Sequence, residues 1–221
     1  MKPIAVCLVS GGMDSCVCTA IAVQNYRLAF MHANYGQRTE VRELQAFHAL
    51  ADHYGALARL VIDFTHLKAI GGTSLIEGGP PVPTGTAPGH AIPSTYVPFR
   101  NGLLLSTAAA WGEVLGASAI FFGAVEADSS GYPDCRESFI AAMSEAINQG
   151  TKPETNLHIR APLVRLSKAQ IVARGRELSA PLHLTWSCYT QDDRACGKCE
   201  SCQLRLKGFA EAGLSDPIPY V

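Results

Sequence analysis

Six consecutive residues, Ser10-Gly11-Gly12-Met13-Asp14-Ser15, are of the types needed to hold a polyphosphate. Two adjacent glycines let the backbone turn sharply and aim successive N–H groups at one anion. Ser10 and Ser15 add hydroxyl donors. Asp14 can hold a magnesium ion that bridges phosphates, or it can cap a following helix. A helix starting just after the loop would contribute unpaired N–H groups and a partial positive charge. The segment lacks the Gly-Lys-Ser/Thr of a Walker A loop and the spacing of a dinucleotide fingerprint. Its plain alternative is a tight turn that merely uses two glycines.

A second cluster lies near the other end. Of eight cysteines, four fall within fifteen residues, as Cys188, Cys196, Cys199 and Cys202. Four thiolates suit a structural zinc ion, which prefers a closed tetrahedron of such ligands and leaves no open position for catalysis. Gly197 lets Cys196 and Cys199 face one ion, and Lys198 offsets part of the thiolate charge. A redox Cys-x-x-Cys pair and an iron–sulfur cluster are the competing readings. Cys7, Cys16, Cys18 and Cys135 sit in apolar or helical patterns and read as packing residues.

These groups need elements to position them. The apolar run Ile4–Val9 predicts a buried strand and 15–24 a helix, so the glycine loop falls between the two. Further strands are expected at 28–32, 60–62 and 119–122. Helices are expected at 39–54, with Val41, Leu44, Phe47, Leu50 and Ala51 near a 3.6 period, at 103–115, and at 203–212. Asp134 could cap a helix over 135–148, and Ser167 one over 168–178. Strands alternating with helices predict an α/β fold with a parallel sheet. The Gly-, Pro- and Thr-rich stretch Gly71–Pro98 is too long for a simple connection; it is an active-site loop or partly disordered. Residues 1–185 are expected to form the α/β domain and 186–221 a zinc-binding segment packed on it.

Composition narrows the function. The chain has 221 residues, 48% apolar and 17% charged, with a net charge of −1. That fits a folded domain with a real core and gives no global attraction to a nucleic-acid backbone. Six apolar residues at Ile4–Val9 are too few for a signal-peptide core, and no apolar stretch reaches the about 18 residues of a membrane span. A soluble, cytoplasmic protein is the expectation, with no nucleic-acid or membrane partner. A zinc-bearing nucleic-acid-binding protein is the rival from another class. It would leave the glycine loop unexplained, and the charges near the cysteines are mixed.

The glycine loop resembles that of the ATP-pyrophosphatase (PP-loop) family. Further blocks resemble its 7-cyano-7-deazaguanine synthase branch: Asn34-Tyr35-Gly36-Gln37-Arg38, Val97-Pro98-Phe99-Arg100-Asn101, Asp128 to Arg136, Ser187-Cys188-Tyr189 and Cys196 to Arg205. Together they span residues 4 to about 210, nearly the whole chain. The resemblance implies a Rossmann-like adenine nucleotide alpha-hydrolase fold and use of ATP and Mg2+. It also implies conversion of 7-carboxy-7-deazaguanine and ammonia to the nitrile preQ0 through an adenylate, in queuosine biosynthesis, by a homodimer. It places ATP along Leu8, Val9, Ser10, Gly11, Gly12, Met13, Asp14, Ser15, Cys16, Val17 and Cys18, and catalytic roles on Asp14, Ser15, Lys168 and Arg100. Substrate contacts fall on Arg38, Arg100, Asn101, Asp128, Tyr132, Asp134 and Arg136. A PP-loop amide synthetase or a tRNA thiolase is the alternative enzyme; a thiolase would need Cys135 as its reactive thiol. The family pattern often has Gly at position 99 and an aromatic at 129, where this chain has Phe99 and Ser129. The expectation is that Phe99 replaces the missing aromatic wall near the substrate.

Overall fold

The computed structural model describes residues 1–85, 92–126 and 131–221. Five parallel strands form one sheet: β1 (Ile4–Leu8), β2 (Arg27–Asn34), β3 (Ala58–Asp63), β4 (Ala119–Phe121) and β5 (His158–Arg160), in the order β3-β2-β1-β4-β5. The chain builds outward from β1 to β3 and then returns to the other side of β1 for β4. The strand order therefore reverses between β1 and β4, and ligands of open α/β sheets bind at the carboxyl ends of strands flanking such a point.

A parallel sheet is covered on both faces, so its central strands are apolar throughout. The period of two divides β1 between two cores. Ala5, Cys7 and Val9 pack with helices α1 (Met13–Ala22), α2 (Glu40–His53) and α6 (Lys168–Glu177). Val6 and Leu8 pack on the other side with α4 (Arg100–Leu115) and α5 (Glu137–Gly150). The last helix, α7 (Glu200–Glu211), lies against α6 closely enough that a Cβ on Gly208 would sit 2.7 Å from the Lys168 Cβ.

Several expectations need correction. The helix after Asp134 begins at Glu137, behind a single 3-10 turn at Pro133–Cys135, and Arg136 is its N-cap residue. Asp134 instead caps α4 from across the fold: its Oδ2 accepts from the Asn101 N–H at 3.0 Å. The Ser167 cap is present as a full capping box with Gln170. Val41 is exposed and not part of the buried stripe of α2, which is Ala46, Phe47, Leu50 and Ala51. The apolar sequence of 103–115 would suggest a buried helix, but α4 exposes Val114. The five-residue α3 (His66–Ile70) and the short β5 carry too little periodicity to be read from sequence. Within 71–98 part of the described stretch is packed: Leu75, Ile76 and Val97 are buried with Tyr35 and Leu67. Among the described residues no helix is long and apolar enough to cross a membrane.

Candidate active site

The glycine loop connects β1 to α1 at the point where the strand order reverses. Gly11 has φ of 87°, and a Cβ there would lie 2.7 Å from the Glu43 carbonyl oxygen, so both backbone and space demand glycine. The loop is braced internally. The Gly12 N–H donates to Ser10 Oγ at 3.2 Å, and the Ser15 hydroxyl donates to the Gly12 carbonyl at 2.9 Å. Opposite, Gly123 follows β4; a Cβ on it would come 3.1 Å from the Ser15 nitrogen. Glycine here keeps the start of α1 open to a ligand.

Asp14, in the first turn of α1, accepts from Lys168 Nζ through Oδ2 at 2.5 Å, while its Oδ1 is buried with no partner. Lys168 opens α6, so the capping box of that helix fixes its backbone while Asp14 holds its ammonium group. A partnerless carboxylate oxygen beside a phosphate-type loop fits a magnesium ligand.

Beyond the loop a cavity of about 280 Å³ opens over the ends of β1, β2 and β4. Leu8, Val9, Ser10, Gly12, Met13, Asp14 and Ser15 line it, with Lys168. Tyr35, Arg100, Tyr132 and Tyr189 line it as well. Arg100 donates to the Tyr35 hydroxyl at 2.8 Å and lies 5.2 Å from that ring. Its Nε is buried and unpartnered. Burial opposes its charge, but Tyr35, Tyr132, Asp134 and Tyr189 around it more than offset that, and its pKa is raised. Tyr132 donates to Thr95 Oγ1 at 2.9 Å. Burial raises the pKa of the Tyr35, Tyr132 and Tyr189 phenols, so they stay neutral. This wall offers flat rings to a planar base and one guanidinium to an oxyanion.

The four cysteines converge as their spacing predicted. Their sulfurs lie within 4.8 Å of one another. Cys196 and Cys202 Sγ are 3.9 Å apart; sulfurs each roughly 2.3 Å from a tetrahedral zinc would be about 3.8 Å apart. Backbone N–H groups of Cys196, Lys198 and Cys199 point at Cys188 and Cys196 sulfurs at 3.3 to 3.4 Å, which suits thiolates rather than thiols. The donor set fits zinc. The segment also reaches the phosphate loop: the Trp186 N–H donates to the Gly11 carbonyl at 2.8 Å. Arg205, 1% exposed, binds Asp216 through Nε at 2.6 Å and Nη2 at 2.8 Å and also donates to Thr185 Oγ1.

Comparison with known proteins bears directly on this arrangement. The family described as "Queuosine biosynthesis protein QueC" matches residues 4–213. The chain belongs to the QueC family. It is 54% identical to the "7-cyano-7-deazaguanine synthase" of Chlorobaculum parvum over 98% of this chain and 96% of that one. It is 53% identical to the protein of the same description from Nautilia profundicola, over 98% and 97%. Among solved structures it is similar to "NMN synthetase from Francisella tularensis", at 14% identity and TM-score 0.48 over 86% of this chain and 68% of that one.

Not every residue expected to serve this QueC site reaches it. Cys16, Val17 and Cys18 lie in the second turn of α1 with side chains in the core, 0%, 0% and 2% exposed, and do not line the cavity. Arg38 does line it, but its guanidinium is engaged by the Ser74, Gly79 and Pro80 carbonyls at 2.9 to 3.1 Å, strapping residues 74–80 down. Asn101 lines the cavity and donates from Nδ2 to the Asp134 carbonyl and to Cys135 Sγ. Asp134 and the exposed Arg136 do not line it. Asp128 and Ser129 lie outside the described residues. Phe99 has φ of 55°, the left-handed region that explains glycine as the usual choice. It is 54% exposed, packs edge-on to Phe139 at 5.8 Å and does not line the cavity. It therefore replaces no substrate wall. Burial pushes the Cys135 thiol up to about 12, so it is not a thiolate ready for persulfide chemistry.

Sequence reasoning missed Glu43, which lines the cavity. Its signal was present: positions 43, 46, 47 and 50 form the i, i+3, i+4, i+7 stripe of α2, so a carboxylate stands in line with its buried face.

Proposed function

We propose that this chain makes 7-cyano-7-deazaguanine from 7-carboxy-7-deazaguanine, ammonia and ATP. The observation that supports the reading is that the glycine loop, through Ser10 and Gly12 to Ser15, and the tyrosine–arginine group line one and the same cavity. A carboxylate oxygen is a poor leaving group, and transfer of AMP to it makes it a good one. The substrate carboxylate attacks the α-phosphorus of ATP and pyrophosphate leaves. Ammonia then displaces AMP and forms the amide. A second ATP activates the amide oxygen, and loss of AMP with the remaining N–H protons gives the nitrile.

The protein supplies position and charge. Loop and helix N–H groups with Ser10 and Ser15 would cradle the departing pyrophosphate. Lys168 exchanges its Asp14 contact for a phosphate oxygen. Magnesium at the free Asp14 oxygen would spread the phosphate charge. Arg100 orients the substrate carboxylate, Asn101 holds the loop bearing Tyr132, and Tyr132 covers the base. Cys188, Cys196, Cys199 and Cys202 would hold zinc, which would keep the tail pressed on the phosphate loop through Trp186.

The test incubates the protein with MgATP, ammonium and 7-carboxy-7-deazaguanine, without tRNA, and follows the base by mass spectrometry. Appearance of the nitrile supports the reading. A folded, zinc-loaded protein that leaves the acid unchanged overturns it.

A further inference from the structure

The cavity is lined for anions, since it must take a triphosphate and a carboxylic acid, yet Glu43 puts a carboxylate on its wall. A negative group there repels both occupants unless a cation comes between. The group is also held in place. Thr39 Oγ1 donates to Oε1 at 2.8 Å, and Gln37 Nε2 donates to Oε2 at 3.2 Å. Gln37 is itself fixed, because its Oε1 accepts the Tyr35 N–H at 2.8 Å. Thr39 and Gln37 are 2% and 5% exposed. The Glu43 backbone closes against Gly11, so the carboxylate is carried on the helix that abuts the phosphate loop.

We propose that Glu43 receives the ammonium ion in this cavity and takes the proton that frees ammonia to attack the activated substrate. This rests on the function proposed above. The step is NH4+ plus the Glu43 carboxylate giving NH3 plus the Glu43 acid. Ammonia then forms the C–N bond, AMP leaves with the C–O electron pair, and the surplus proton passes to solvent.

An ordinary carboxylate is a poor base for ammonium. Burial pushes Glu43 up to about 7, with Thr39, Arg100 and Gln37 acting in the opposite sense and Glu40, one turn earlier, adding to the rise. Tyr35 and Arg100 are the other titratable groups around it. The balance makes it a better proton acceptor while leaving it largely ionised above neutrality.

The experiment compares the unaltered protein, Glu43→Gln and Glu43→Asp in single turnovers with MgATP and the acid. Pyrophosphate release without an amine, amide formation with ammonium, and trapping with hydroxylamine, which is unprotonated at neutral pH, are read separately. The expected result for Glu43→Gln is unchanged pyrophosphate release and hydroxylamine trapping, with amide formation from ammonium down about 100-fold. Raising the pH should narrow that gap, and Glu43→Asp should recover part of the rate. Equal losses with ammonium and hydroxylamine overturn the proposal. So does a loss cured by excess magnesium, which would make Glu43 a metal ligand. If the unaltered protein releases no pyrophosphate on the acid, the reading of function fails first and the proposal with it.

Discussion

Two groups of residues lining the cavity are built differently. The proposed phosphate site is mainly one turn, acting through backbone N–H groups, the left-handed Gly11 and the start of α1, with Lys168 added from α6. The proposed substrate site collects side chains from separate segments: Tyr35 after β2, Arg100 at the start of α4, Tyr132 after β4 and Tyr189 beside the cysteines. The first tolerates almost no change in backbone but needs few particular side chains. The second depends on how distant segments are tied together, by Asp134 to α4, by Arg38 to residues 74–80 and by the metal-type cluster to the phosphate loop. In the proposed function anion binding would be mostly local, with Lys168 brought to it from α6, and base recognition would be a property of the tertiary fold.

The comparison breaks most visibly at the cysteines. Removing zinc with a strong chelator, or changing Cys199→Ser, should free the tail that carries both Tyr189 and the Trp186 contact. Structural zinc sites hold on the order of 10 kcal/mol of binding energy, so a fall in Tm with loss of both ATP and substrate binding is expected by calorimetry and titration. Retention of ATP binding would show the phosphate site to be self-sufficient.

Next in size is Gly11→Ala. A Cβ there meets the Glu43 carbonyl at 2.7 Å in a left-handed backbone. The conformation alone costs about 1 to 2 kcal/mol, and the clash must also move α2. ATP binding should fall sharply while spectroscopic signatures of zinc-type cobalt loading at the cysteines persist. Equal damage at both would erase the distinction between the two regions.

Glu43→Gln sharpens it by separating stability from chemistry. Because burial raises this carboxyl from 4.5 to about 7 in the folded chain, the folded state prefers it protonated. Its ionisation lowers stability as pH rises from about 4.5 to 7, and the full penalty remains above that. The variant should thus be more stable by about 1 to 3 kcal/mol at pH 8, allowing for partial screening, and no more stable below pH 4. Denaturant unfolding at the two pH values checks this.

The smallest effect belongs to Phe99→Gly. It relieves a left-handed backbone but loses the Phe139 contact, so stability should change by within about 1 kcal/mol. Substrate KM should be unchanged, since Phe99 lies off the cavity. A raised KM would return it to the substrate wall.

The amino-acid sequence alone determined what depends on neighbours in the chain. The strand–glycine–helix order, the capping box at Ser167 and the metal-ligand spacing of Cys196, Cys199 and Cys202 each express a local geometry, and the structure contains all three. Only the tertiary structure decided the rest. Asp134 was legible as a capping residue, but which helix it caps depends on α4 lying within reach of its carboxylate. Arg38 was expected among the substrate contacts, but three carbonyls of a segment some forty residues away engage it first. Glu43 lay hidden because a carboxylate on a helix is ordinarily solvated. The stripe of α2 sets it in line with the buried face and Thr39, four residues earlier, holds it locally, but its closeness to Gly11 and to the cavity comes from tertiary packing.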